Sequence, residues 1–415
     1  MKAVELFTGM GGLALGLERA GFEHLALVEW DRDAHQTARE NHPGWPLGPE
    51  PIDVTLYAYD SIPEGIDLLA GGPPCQPFSL GGKHHGQHDH RNMFPEMVRA
   101  QRALRPKAIL VENVYGLNRP AFRPYLDYIL LQLRYPFVLA RPGEDWEHHK
   151  ARLERVGQRQ PRAETYEVGA PLLINAADYG APQIRRRILI VGFRRDLGVT
   201  WTPPEPTHSR DVLGRAQDVK GSYWQEHGLP DRGGDGINAL RVPDGRLRWN
   251  TVRDALGHTM RNAMGQVVYE NELPPPVDGQ EHPVFRNHVG VPGARVYAGH
   301  TGNALDRPAK AVKAGDHGCP GGEHVLIRDD GTIRYFTVRE VARLQGFPDS
   351  VHFTCSRTEA MRQIGNAVPV PVAEAFGMAV KHTLESAGGK RASRTARRKP
   401  RAGWEKPAAQ EAALA

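Results

Sequence analysis

Two rhythms of apolar and polar positions alternate along the first half of the chain. Short apolar runs at 4–7, 24–28, 66–70 and 107–111 have the length and continuity of strands buried on both faces. Between them, residues 13–20, 33–41, 93–104 and 122–133 carry apolar side chains at helical spacing. Strand alternating with helix predicts an α/β fold: a doubly wound, mostly parallel sheet with helices on both faces. A further short strand is expected at 52–54, a charged, solvated helix at 146–156, and a buried strand closing on Phe193. From Arg194 to about Gly331 the rhythm gives way to prolines, glycines and short apolar pieces, which predicts a smaller lobe of irregular build. Regular structure returns at 334–348, where Thr337 and Glu340 have capping-box spacing and Gly346 closes the helix. An apolar helix over 371–384 follows. The expected partition is a catalytic and cofactor-binding domain at 1–193, a target-recognition domain at 194–333, a return to the first domain at 334–385, and a disordered basic tail at 386–415.

Composition changes this picture in two places. The 415 residues carry a net charge of +5, but residues 386–415 hold eight Lys/Arg against two Glu, leaving 45 basic and 46 acidic residues for the remainder. The basic excess belongs to the tail, so a nucleic-acid surface on the body has to be a local patch. Three widely spaced cysteines, Cys75, Cys319 and Cys355, suit free thiols in a reducing compartment better than a disulfide framework. No apolar run is long enough to span a bilayer, and the first residues lack the core of a signal peptide.

The candidate chemistry collects at the strand ends. The strand at 66–70 runs into Gly71-Gly72-Pro73-Pro74-Cys75-Gln76-Pro77-Phe78-Ser79. Glycines and prolines end it abruptly and present one cysteine at the carboxyl edge of the sheet, where α/β folds bind their ligands. A lone cysteine is more often an inert buried thiol, but three prolines and a glutamine are a poor core environment. Glu112 ends the strand at 107–111 and is a candidate proton donor facing the same rim. The stretch Gln183-Ile184-Arg185-Arg186-Arg187 leads into a buried strand and puts Arg185 and Arg187 on one face, suited to phosphate and base oxygens. The turn Phe7-Thr8-Gly9-Met10-Gly11 between strand and helix lets a ligand approach the backbone. Glu29, at the tip of the second strand, can accept both ribose hydroxyls of a nucleoside; Trp30 offers its ring to the base, and Asp53 can reach an adenine amino group. His84, His85, His88 and His90 lie in a stretch without periodicity, have no paired cysteines, and predict no metal site. Cys319 beside His317 reads as part of a turn.

Taken together, these motifs resemble the DNA (cytosine-5)-methyltransferases of the bacterial restriction-modification type. The resemblance rests on residues 7–12, Glu29-Trp30, Asp53-Val54, 73–79, 112–114, 183–187, 339–348 and 365–369, which run in the family's order over most of residues 3–376. It implies S-adenosyl-L-methionine as cofactor, held by Phe7, Gly9, Gly11, Glu29, Trp30, Asp53, Val54, Pro74, Asn366 and Val368. It implies that Cys75 adds to C6 of a flipped-out cytosine in a specific short duplex site, that Glu112 bonds N3 and the exocyclic amine, and that Arg187 with Arg185 holds O2 and the adjacent phosphate. The implied partner is double-stranded DNA, met by a monomer in the bacterial cytoplasm and associated with the nucleoid through DNA, with room for a cognate restriction endonuclease sharing the site. Competing readings are a tRNA cytosine-5 methyltransferase, disfavoured by the long second lobe, and a non-catalytic DNA-binding relative, disfavoured by the presence of Cys75, Glu112 and the arginines.

Overall fold

The computed structural model describes residues 1–74, 93–157, 165–218, 221–231, 245–296, 298–299, 301–315 and 322–396. The first half is strand and helix in turn: β1 (Lys2–Leu6), α1 (Gly12–Arg19), β2 (Glu23–Val28), α2 (Arg32–Asn41), β3 (Leu68–Gly71), α3 (Phe94–Leu104), β4 (Ala108–Val114), α4 (Arg123–Arg134), α5 (Trp146–Gly157), β5 (Tyr166–Val168), β6 (Leu172–Asn175), β7 (Gln183–Ile184) and β8 (Arg186–Arg194). The main sheet has the order β2-β1-β3-β4-β8-β5, with β6 also on β8. β2, β1, β3 and β4 pair in parallel, and β8 runs antiparallel to β4. This is the predicted α/β architecture, a mostly parallel sheet between helical layers.

The apolar runs explain the layering. Successive residues point to opposite faces of a strand, so Val4, Leu6, Leu69, Ile109, Val111 and Ile190 join the core beneath α3 and α4. Ala3, Leu68, Ala70, Leu110, Leu189 and Val191 join the other core, with Leu13 and Leu17 of α1. Val372, Phe376 and Val380 complete that second core from α11 (Val370–Ala396), so the far end of the sequence returns to cover the first helix.

The second segment holds β9 (His208–Ser209), α6 (Arg210–Ala216), α7 (Ser222–Glu226), β10 (Leu247–Arg248), α8 (Val252–Leu256), β11 (Asn303–Ala304), β12 (Ala309–Lys310), β13 (Val325–Ile327) and β14 (Ile333–Tyr335), then α9 (Val338–Leu344) and α10 (Arg357–Asn366) before α11. The elements are short, as expected, but they are not walled off from the first lobe. Val252, Ala255, Met260, Tyr269, Val312 and Leu326 share one core with Met10 and Leu15 and with α9 and α10. The capping box forms: Thr337 accepts from the Glu340 amide while the Glu340 carboxylate accepts from the Thr337 amide. Gly346 follows at φ 83°.

Three expectations change. Residues 52–54 do not form a strand: Asp53 caps a 3-10 turn over Val54–Leu56, its carboxylate accepting from the Thr55 amide and hydroxyl, a local bond that competes with a sheet ladder. Glu112 lies within β4, not after it, because the ladder to β8 continues to Val114↔Arg187. The backbone of α11 stays helical through Ala396, into the part read as a disordered tail from 386. Adding turns to a helix nucleated by a buried segment costs little, and Ala, Lys and Arg favour the helix.

Candidate active site

Two backbone turns and one ion pair build the candidate site at the carboxyl edge of β1, β3 and β4. At the end of β1, Phe7, Gly9 and Gly11 all have positive φ, at 60°, 58° and 96°. For phenylalanine that conformation is rare and costly, and such strain gathers where a ligand is met. The carboxylate of Glu29, almost fully buried, fixes this turn. Its Oε2 accepts from the Gly9 amide at 2.6 Å, and Oε1 accepts from the Trp30 and Asp31 amides at 2.9 and 2.7 Å. Burial pushes its pKa up, against the pull of these amides. A carboxylate has about four lone-pair sites; with three occupied, Glu29 has room on Oε2 for one ribose hydroxyl rather than two. Asp31 caps α2 through the Ala34 amide and pairs with Arg362 of α10 at 2.6 Å.

The surroundings fit a nucleoside carrying an amino-acid tail. Trp30 is 68% exposed beside Glu29, an aromatic face ready to stack on a base. A Cβ built on Gly9 would meet nothing within 4 Å, so the turn opens on free space there. The Thr8 hydroxyl is buried without a partner among the described residues. No side chain caps α1, whose first turn holds no acidic residue, leaving its positive end available to a carboxylate. Val54 is buried and Pro74 half-buried at this edge, while Asn366 is exposed at the end of α10 and Val368 buried just beyond it. Asp53 is exposed with one oxygen committed to its turn.

On the neighbouring strands, the Glu112 carboxylate lies 2.8 Å from Nε of Arg187. Burial lowers the Arg187 pKa and Glu112 opposes the shift. Glu112 is thus ion-paired: the antiparallel β4–β8 ladder brings the arginine to it, a partner that spacing within either motif does not reveal. Glu112 Oε2 is 3.4 Å from the position a Cβ would take on Gly72, and the Asn113 amide donates to the Pro73 carbonyl at 3.0 Å. The paired carboxylate thus borders the backbone that leads into residue 75. Cys75 itself, with Gln76, Ser79 and His84 to His90, lies outside the described residues, as do His317 and Cys319. Cys355 is described, half-buried, with burial raising its thiol pKa to about 11, so it is not a competing thiolate.

Arg185 departs from its predicted role. Its guanidinium is buried and donates to the Val312 and Gly365 carbonyls, both at 2.6 Å, and to Ala367 at 3.2 Å. It falls between β7 and β8, so strand alternation does not govern where it points, and its hydrogen-bonding capacity goes to backbone rather than to a base or phosphate. Sequence reasoning also passed over Arg339 and Arg343 of α9. Both are fully buried; Arg339 donates to the Arg286 carbonyl, and Arg343 to those of Ala255, Gly257 and Asn271. Their signal was two arginines spaced by four on a helix whose other residues, Glu340 of the capping box apart, are apolar.

The model of the C-5 cytosine-specific DNA methylase family matches residues 1–135 and 147–382. The Type II methyltransferase M.NgoMIV of Neisseria gonorrhoeae is 31% identical over 92% of this chain and 98% of its own length. The Type II methyltransferase M.HpaII of Haemophilus parainfluenzae is 30% identical over 93% of this chain and 89% of its own. Among solved structures, Spodoptera frugiperda DNMT2 superposes with a TM-score of 0.53 at 16% identity, covering 92% of this chain and 99% of that one, a likeness of fold. With the family's match running through both the glycine turn and the Glu112–Arg187 strands, the chain belongs to the C-5 cytosine-specific DNA methylases and is an S-adenosyl-L-methionine-dependent DNA (cytosine-5-)-methyltransferase.

Proposed function

We propose that Cys75, Glu112 and Arg187 form the catalytic group of this enzyme, and that Phe7, Gly9, Gly11, Glu29, Trp30, Asp53, Val54, Pro74, Asn366 and Val368 hold its cofactor. The observation that carries the proposal is the ion pair of Glu112 and Arg187 beside Gly72 and Pro73, two residues short of the cysteine. C5 of cytosine is a weak nucleophile until the ring is loaded by addition at C6. The Cys75 thiolate forms that bond, which moves negative charge toward N3. Glu112 meets the N3 edge and the exocyclic amine, and Arg187 fixes the carboxylate and faces O2. Bound S-adenosyl-L-methionine supplies an electrophilic methyl group to C5. Loss of the C5 proton and expulsion of the Cys75 sulfur restore the ring and the free thiolate. Glu29 and the backbone turn at 7–11 orient the cofactor, with Trp30 against the adenine. A base inside a duplex is out of reach of this edge, so the target is flipped out at a cost of a few kcal/mol.

The same proposal assigns target recognition to residues 194–333 and the catalytic fold to 1–193 and 334–385, the enzyme acting as a monomer on nucleoid DNA. The named relatives are Type II methyltransferases, which supports a restriction endonuclease sharing the site. No helix among the described residues is long and apolar enough to cross a membrane. Bisulfite sequencing of DNA from cells expressing the protein tests the function: protected cytosines should fall in one short sequence context and vanish with Cys75→Ser. Unchanged protection in the Cys75→Ser strain would refute the assignment.

A further inference from the structure

Arg185 bonds two backbones that serve different substrates. Val312, which takes Nη1, follows β12, and β12 pairs with β7 through Ala309↔Gln183 and Lys310↔Ile184. That pairing lays the end of the recognition segment on the catalytic lobe. Gly365 and Ala367, which share Nη2, flank Asn366 in the turn assigned to the cofactor. Gln183 reinforces the joint: it accepts from the Val312 amide at 3.1 Å and donates to Gln345 Oε1 at 2.8 Å, while Gln345 donates to Ile364 at 2.6 Å. The two backbones also touch directly. A Cβ on Gly365 would fall 2.3 Å from the Ala314 nitrogen and 2.4 Å from the Lys313 carbonyl, so the 312–314 strap lies flush on the end of α10. The hydrogen-bond acceptors of this guanidinium are neutral carbonyls, and its Nε is buried without a partner among the described residues. Burial and the neighbouring Arg187 charge both push its pKa down. A packing role alone is often served as well or better by an apolar side chain of similar volume, whereas a planar fork is suited to tying two chain segments together.

We propose that Arg185 is a positioning residue that couples the two substrate sites, making cofactor affinity respond to engagement of DNA by the recognition segment. The inference rests on the assignment of Asn366 and Val368 to the cofactor pocket. Strap and turn share one cation and cannot shift independently, so a ligand that orders one lowers the cost of ordering the other. The effect is reciprocal: the cofactor tightens DNA binding by the same factor.

The test is calorimetric titration of the full chain with S-adenosylhomocysteine, alone and with a duplex carrying the site mapped by bisulfite sequencing. The wild type should bind about tenfold tighter with the duplex present. Arg185→Lys keeps the charge but replaces the planar fork with a compact ammonium, and should bring that ratio close to one. Gly365→Ala, which displaces the strap from the opposite side, should do the same and decides the matter if Arg185→Lys fails to fold. A purely structural role would weaken binding in both conditions and leave the ratio intact; that outcome, or a wild-type ratio of one, overturns the proposal. Trp30→Ala separates the two readings: wild-type affinity without DNA in that variant would refute the cofactor site itself, whatever the ratio.

Discussion

Glu5 sits in the middle of β1 with its carboxylate fully buried, 3.7 Å from Nε2 of a buried His24. Burial raises its pKa above 4.5 more strongly than the histidine and the Ala14 amide lower it. The folded protein therefore holds that proton more tightly than the unfolded chain does, and the stability this contributes is lost as pH rises from about 4.5 through the raised value. Glu29 is shifted in the same direction by burial. Glu5→Gln should accordingly flatten the decline of the thermal midpoint as pH rises above the ordinary carboxylate range; a decline as steep as the wild type's would show that Glu5 is not its source. At this scale the sequence singled out Glu29, just past β2, and Glu112, which the ladder to β8 places within β4. It concealed partners far apart in the chain. Arg185 meets carbonyls of Val312, Gly365 and Ala367, and nothing in the spacing of Gln183-Ile184-Arg185-Arg186-Arg187 points to them. Glu5 passed as one more residue of an apolar run because its burial depends on α1 folding over it.

Helix α1 packs closely on α11. A Cβ on Gly16 would fall 2.3 Å from the Ala373 side chain and 2.7 Å from the Glu374 nitrogen, and one on Gly12 would fall 2.4 Å from the Val368 carbonyl. These glycines permit backbone approach, which brings the segment after Asn366 against the helix that follows the Phe7 to Gly11 turn. Gly16→Ala should cost about 1–3 kcal/mol by overpacking, despite the better helix propensity of alanine, and urea unfolding measures it; a neutral or stabilising result would mean that the helices part readily. Element type was legible wherever periodicity was long or a cap was present, as in α3, α4 and the Thr337–Glu340 box. It failed at 52–54, where three residues carry no usable period and the Asp53 side chain sets the turn. Arg339 and Arg343 of α9 are both buried, because they meet main-chain carbonyls and, for Arg343, the Asp349 carboxylate at 2.6 Å, partners that composition does not announce.

The molecule as a whole joins its two lobes through a shared core and three buried arginines, which is why the second segment, short of regular structure, still has a fixed place. Its charge is divided differently. Residues 397–415 hold five Lys/Arg against two Glu, and a run of positive charge attracts DNA through counterion release. Truncation after Ala396 should leave the methylated sequence and the rate at saturating DNA unchanged while flattening the salt dependence of DNA affinity; altered site choice would place recognition in the tail. The central claim is the covalent role of Cys75, and trapping tests it most directly. A duplex with 5-fluorocytosine at the mapped target, incubated with enzyme and S-adenosyl-L-methionine, cannot lose its C5 substituent as a proton, so addition and methyl transfer should leave a stable protein–DNA adduct. Mass mapping should locate that adduct on Cys75 and find none with Cys75→Ser. An adduct on Cys319 or Cys355, or methylation of ordinary DNA by the Cys75→Ser protein, would contradict the account.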